Sequence, residues 1–130
     1  MYALDTNTVI YFFKGMGRVA ERLLATPRTE VVVPAVVLFE LEVGVRKTRE
    51  ATTRRRQLDD FARAVAILPF DRASAEAAAE IRARLEQEGR PIGPLDTLIA
   101  GTASAHGAIL VSHNVAEFGR VDGLTVADWF

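Results

Sequence analysis

Met1-Tyr2-Ala3-Leu4-Asp5-Thr6-Asn7 opens the chain as a short apolar strand that delivers an aspartate into a helix start. Tyr2, Ala3 and Leu4 are followed at once by Asp, Thr and Asn, whose side-chain oxygens favour caps and turns over continued strand. Val9-Ile10-Tyr11-Phe12-Phe13 then supplies the density of a buried helical turn or two. In open α/β folds ligands bind outside the carboxyl ends of strands, so Asp5 is placed for chemistry. The competing reading is that Asp5 or Thr6 only caps the next helix.

Working outward, apolar residues at 19, 20, 23 and 24 mark a second helix, and Val31-Val32-Val33 suits a buried parallel strand. Pro34 closes that strand and fits the first turn of the helix after it, which carries Val37, Leu38, Leu41 and Val45 as its stripe. Glu40 falls at the edge of the stripe, one turn before Gly44. Residues 50 to 66 predict an amphipathic helix with its arginines outward, followed by a strand over Ala66-Ile67-Leu68-Pro69-Phe70. Asp71 and Ser74 offer caps for a long alanine-rich helix ending at Gly89. Pro91, Gly93 and Pro94 form a connector. Leu95 then opens a helix with Asp96 in its first turn and Leu95, Leu98, Ile99, Thr102 and Ala103 toward the core. Ala108-Ile109-Leu110-Val111 predicts a strand that delivers Ser112-His113-Asn114. A helical turn over Val115 to Phe118 and a last strand near Leu124-Thr125-Val126 follow. Strands alternating with helices imply a three-layer α/β/α sandwich around a mainly parallel sheet, in one domain over residues 1 to 130.

Composition narrows the chemistry. The 130 residues, 49% hydrophobic, suffice for one core. No window approaches the ~18 apolar residues of a membrane span, and no secretory signal is legible. A soluble, cytoplasmic protein is therefore expected. Zero cysteines exclude thiolate zinc and cysteine nucleophiles, and two histidines leave little room for an imidazole site, so any metal should be held by oxygen. The net charge of -1 hides a basic segment, Arg46, Lys47, Arg49, Arg54, Arg55 and Arg56, interrupted by Glu50.

The acids near element ends are Asp5, Glu40, Asp96 and Glu117. Carboxylates aimed at one crevice repel unless a cation sits among them. Hard divalent ions suit such donors and usually act there on phosphate esters. Taken singly, each acid also reads as a cap or a solvated surface residue.

Four stretches then carry a resemblance over essentially the whole chain. They are Tyr2-Ala3-Leu4-Asp5-Thr6-Asn7, Pro34 through Gly44, Pro94-Leu95-Asp96-Thr97-Leu98-Ile99-Ala100, and Leu110-Val111-Ser112-His113-Asn114 running to Phe118 and Asp128-Trp129. In that order and spacing the sequence resembles the PIN domain family, and more closely the VapC toxins of bacterial toxin–antitoxin pairs. The resemblance implies a Mg²⁺- or Mn²⁺-dependent endoribonuclease whose acids map onto Asp5, Glu40 and Asp96, with Asp5 and Asp96 foremost as metal ligands. It selects Glu40 over the neighbouring Glu42. It departs from the wider pattern at Asn114, where many members carry Asp, and Glu117 three residues on becomes the fourth catalytic candidate. A metal-activated water would attack the phosphodiester, with Thr6, Asn7, Ser112 and Asn114 orienting the acids or the phosphate. The basic segment from Arg46 to Arg56 would hold RNA. A VapB-like antitoxin that inserts a tail into the acidic crevice, and a homodimer, are the implied partners. Ile10, Tyr11, Phe12, Phe13 and Met16 are offered as an apolar association surface.

The same residues admit rival readings, one of them a PIN fold used for binding or scaffolding with its chemistry lost, which intact Asp5, Glu40 and Asp96 oppose. A receiver-like signalling domain needs a pair of acids after the first strand and a lysine after the last strong strand. Here one acid stands there, and the only lysines are Lys14 and Lys47. A PIN nuclease acting on DNA, or in RNA maturation, is the alternative within the fold.

Overall fold

The computed structural model describes residues Met1–Phe130. Strand β1 (Tyr2–Leu4) leads to α1 (Thr6–Lys14), α2 (Val19–Leu24), a 3-10 turn (Arg28–Glu30) and β2 (Val31–Pro34). Then come α3 (Ala35–Lys47), α4 (Ala51–Ala64), β3 (Ala66–Leu68), α5 (Arg72–Gln87), α6 (Pro94–Ala105), β4 (Ile109–Val111), α7 (Val115–Phe118) and β5 (Val126–Ala127). The five strands form one sheet in the order β3-β2-β1-β4-β5, and all four pairings are parallel. Every residue of β2 is buried, as a central parallel strand covered by helices on both faces must be. The α/β sandwich expected from the alternation of elements is therefore present. No helix is long and apolar enough to cross a membrane.

The strand order fixes where chemistry can sit. The chain runs outward from β1 through β2 to β3, then returns to the far side of β1 with β4, so adjacent crossovers diverge between β1 and β4. At such a switch point the loops part and leave a crevice at the carboxyl ends of the strands. Leu4 pairs with Val111, and the Asp5 amide donates to the Val111 carbonyl at 3.1 Å, which sets Asp5 beside Ser112 on the crevice floor.

Several element ends differ from the sequence expectation, each for a local reason. Pro34 is the last residue of β2, paired with Leu68, and caps α3 from outside rather than entering its first turn. β3 stops at Leu68, so Pro69 and Phe70 lie outside the sheet; a proline cannot donate to a ladder. β5 is Val126–Ala127, two residues later than expected at its start, because its register follows Leu110 and Val111. Helix α4 covers 51 to 64 rather than 50 to 66. Pro94 belongs to α6 as its first residue, where a missing N–H costs nothing.

In α6 the most enclosed positions include Thr97, Ala100 and Gly101, whereas Leu95 and Leu98 are only half-buried. Helix α6 lies close against α5, and Gly101 is the reason this is possible. A Cβ there would stand 2.6 Å from the Ala78 Cβ and 2.7 Å from its backbone nitrogen. Asp71 starts α5 as expected, its Oδ1 accepting from the Ser74 amide at 2.9 Å and the Ser74 hydroxyl at 2.8 Å.

Two glycine substitutions should separate in sign. Gly101→Val forces α5 and α6 apart and should destabilise by about 3 kcal/mol or more. Gly44→Ala, where nothing lies within 4 Å of an added Cβ, should stabilise by about 0.5–1 kcal/mol. Denaturant midpoints of the two variants check both.

Candidate active site

Asp5 is the residue on which the crevice is built. It is the cap of α1, with Oδ1 accepting from the Thr8 amide at 2.9 Å, and it is 5% exposed. The Thr8 hydroxyl donates to the Val111 carbonyl at 3.1 Å, so the helix start is stapled to both central strands. Asp5 thus does cap its helix, yet a surface cap has no cause to be buried at the switch point of a sheet. Its second oxygen makes no hydrogen bond.

The other acids arrive from three separate elements. Glu40, half-buried on α3, accepts from the Thr6 hydroxyl at 2.6 Å. Asp96 is the third residue of α6. Glu117, half-buried on α7, accepts from the Asn114 side-chain amide, and the Asn114 backbone amide donates in turn to the Ser112 hydroxyl at 3.0 Å. Of the polar side chains expected to orient the acids, Thr6, Ser112 and Asn114 therefore reach them directly or in sequence. Asn7 is exposed and its side chain makes no hydrogen bond.

Convergence shows in the electrostatics. The Asp96 carboxyl is raised from 3.8 to about 6, first by burial and then by the charges of Glu117, Glu40 and Asp5. A position in the first helical turn favours an ionised acid; here burial and like charge outweigh it. None of the four acids takes part in an ion pair with Lys or Arg, although ten Arg–carboxylate pairs exist elsewhere in the molecule. As the side chains are arranged, no three acidic or imidazole groups are grouped to hold one ion. The donor set nevertheless suits a hard divalent cation in kind and in charge, and ligation by three of the acids at once requires side-chain rotation.

The basic segment is not uniformly free. Glu42 accepts from Arg55 Nη2 at 2.7 Å and Arg46 Nη1 at 2.5 Å, and these guanidinium groups, Arg55 first, hold its carboxyl at about 2. Arg54 bonds Gln57, whereas Lys47, Arg49 and Arg56 are exposed and make no ion pair. The apolar residues of α1 are used mostly inward. Phe12 and Phe13 pack on Phe61, and Tyr11 packs on Phe130. Met16 alone of that set is well exposed, at 42%.

Thr8 and Lys14 stand outside the residues that the sequence singles out for the site. The spacing from Asp5 to Thr8 is that of a cap and its third helical residue, a legible signal. Lys14 lies on one helical face with Ile10 and lines a cavity with Glu40, which no spacing along the sequence foretells.

A raised carboxyl pKa makes stability depend on pH in a defined direction. Below about pH 4 Asp96 is protonated folded and unfolded. Between 3.8 and about 6 the folded chain holds the proton that the unfolded chain has lost, so its stabilising contribution disappears as the pH rises through 6. In chelator, Asp96→Asn should raise the melting temperature at pH 7.5 by a few degrees and leave it nearly unchanged near pH 4. Calorimetry at the two pH values tests this, and a loss of stability at pH 7.5 would show that Asp96 is not crowded by like charge.

Comparison with known proteins agrees with the architecture. The PIN domain model matches residues 2–124. The tRNA(fMet)-specific endonuclease VapC of Shigella flexneri is 34% identical over 128 residues, 98% of this chain and 97% of that protein. DNA-bound VapBC from Salmonella typhimurium superposes with a TM-score of 0.93 at 31% identity, covering 99% of this chain and 98% of that one. VapBC2 from Rickettsia felis, bound to a DNA fragment from its promoter, gives 0.90 at 33% identity with coverage of 99% and 98%. With the fold, the sheet order and the full-length match in accord, the chain belongs to the PIN domain family, among its VapC members.

Proposed function

We propose that this chain is the toxin of a toxin–antitoxin pair, an endoribonuclease that hydrolyses RNA phosphodiesters with Mg²⁺ or Mn²⁺ at Asp5, Glu40, Asp96 and Glu117. What supports the reading is that Glu117, Glu40 and Asp5 all press on the half-buried Asp96 carboxyl near the sheet's switch point, with no Lys or Arg paired to any of the four. A divalent cation, when bound, supplies charge neutralisation and Lewis acidity for phosphodiester hydrolysis.

The chain's own groups have separable parts in this. Asp5 is held rigid by the Thr8 amide with one oxygen left over. Thr6 aims Glu40, and Asn114 aims Glu117. Asp96, whose ionisation is opposed by its neighbours, gains most from an added positive charge. Lys47, Arg49 and Arg56, free of ion pairs, would meet RNA phosphates, while Arg46 and Arg55 are committed to Glu42.

A VapB-like antitoxin has a surface to cover. Between α1, α2 and α4 lies a groove of 520 Å³ lined by Phe12, Phe13, Leu23 and Leu24, the last 84% exposed. A basic side chain on such a partner would pair with the four acids in the cation's stead. A cytoplasmic location and self-association as a homodimer belong to the same reading.

Purified chain freed of partners should cut RNA with Mg²⁺ or Mn²⁺ and stop in chelator. Asp5→Asn should lower the rate by more than about 100-fold and Thr6→Val by about 10-fold, the range for a group that orients a ligand. Glu117→Gln should fall between wild type and Asp5→Asn. Cleavage of DNA but not RNA, or activity that survives exhaustive chelation, would contradict the assignment. Because Asp96 must lose its proton to hold a cation, the acid limb of the rate profile should lie at or below about pH 6. Raising Mn²⁺ should move that limb to lower pH, and a limb indifferent to Mn²⁺ would separate it from Asp96.

A further inference from the structure

Beside the acidic crevice, α1, α3 and α4 enclose a cavity of 150 Å³ whose lining combines Glu40 with Lys14, Arg54, Thr48 and Gly44 on a partly apolar wall. Helical spacing builds it. Glu40, Gly44 and Thr48 follow one another at four-residue intervals along one face of α3 and its end, so the cavity continues directly from an acid of the crevice.

Its two cations come from different elements, Lys14 from α1 and Arg54 from the basic segment on α4. Lys14, in the last turn of α1, has no carboxylate partner. Arg54 is braced: Nη1 donates to Gln57 Oε1 at 2.7 Å, Gln57 Nε2 donates to the Phe13 carbonyl at 3.4 Å, and Glu50 stands 3.6 Å from Nη2. Gly44 sits within a helix, where glycine is unfavourable, yet an added Cβ there would meet nothing within 4 Å. What glycine provides at that position is clearance over the cavity rather than backbone freedom.

We propose that this cavity seats the RNA nucleotide adjacent to the scissile phosphate, with its phosphate on Lys14 and Arg54 and its base in the space above Gly44. The assignment rests on the ribonuclease reading. A polyanion approaching four carboxylates needs positive charge beside them. In this cavity two basic side chains and an acid of the crevice share a wall. The space accepts one planar base, so the contact makes the cavity a determinant of which sequence is cut.

The test uses an RNA oligonucleotide that the wild-type chain cleaves at a mapped bond, together with copies carrying a single abasic position on either side of it. Gly44→Leu fills the space, and Lys14→Gln with Arg54→Gln removes the charge. Both should keep the wild-type melting temperature or exceed it, lower kcat/KM at least 10-fold and redistribute cuts on mixed RNA. One abasic position should slow wild type to the level of Gly44→Leu while slowing Gly44→Leu little further. Unchanged kcat/KM and cut pattern in both variants overturn the proposal, as does a slowed Gly44→Leu whose wild-type parent ignores every abasic position. Variants that cleave normally but escape an antitoxin would make the cavity a protein seat and overturn it equally. Failure of the wild type to cut any RNA would instead remove the ribonuclease reading itself.

Discussion

Everything in this molecule that bears on chemistry depends on the pairing of β1 with β4. Leu4 opposite Val111, the Asp5 amide on the Val111 carbonyl and the Thr8 hydroxyl on the same carbonyl lock a helix start to the two strands between which the chain's winding reverses. That lock puts a buried carboxylate at a fixed point. The three remaining acids come from α3, α6 and α7, elements otherwise remote from one another in the chain. A stable fold does not need this arrangement, since burying an acid among like charges opposes folding. It is tolerated because the strand pairing and the helix packing that impose it outweigh the cost, and in the proposed function a cation would reverse its sign.

Much of the fold was legible in the amino-acid order, and the reasons are specific. Val31-Val32-Val33 and Ile109-Leu110-Val111 are continuous apolar runs bounded by breakers, which only a buried parallel strand accommodates well. Asp71 and Ser74 announced the start of α5 through cap chemistry alone. The misplaced ends are those decided by a partner rather than by local preference. Pro34 joins β2 because Leu68 pairs with it, and β5 takes its register from β4. The buried face of α6 differs from the expected one at Leu95 and Leu98 for a related reason. Hydrophobicity ranks Leu98 above Gly101, but close helix approach is governed by the absence of a side chain.

The candidate site divides the same way. Asp5, Glu40, Asp96 and Glu117 were recognisable as acids near element ends, and the family resemblance chose among them. Their mutual repulsion followed from grouping them, but that it acts on Asp96 depends on distances between positions far apart in the chain. Nor was the division of the basic segment, which turns on Glu42 reaching from α3 to Arg55 on α4. Gly44 and Lys14 acquire meaning only once α1, α3 and α4 are packed together.

The central claim is that four uncompensated carboxylates crowd one point and that a divalent cation relieves them. Titration of the Asp96 carboxyl carbon by ¹³C NMR, with chelator and then with saturating Mg²⁺, addresses it directly. The account predicts a midpoint at about 6 in chelator, falling below the ordinary carboxylate range when Mg²⁺ is present. A midpoint near the ordinary value in chelator, unmoved by Mg²⁺, would contradict it.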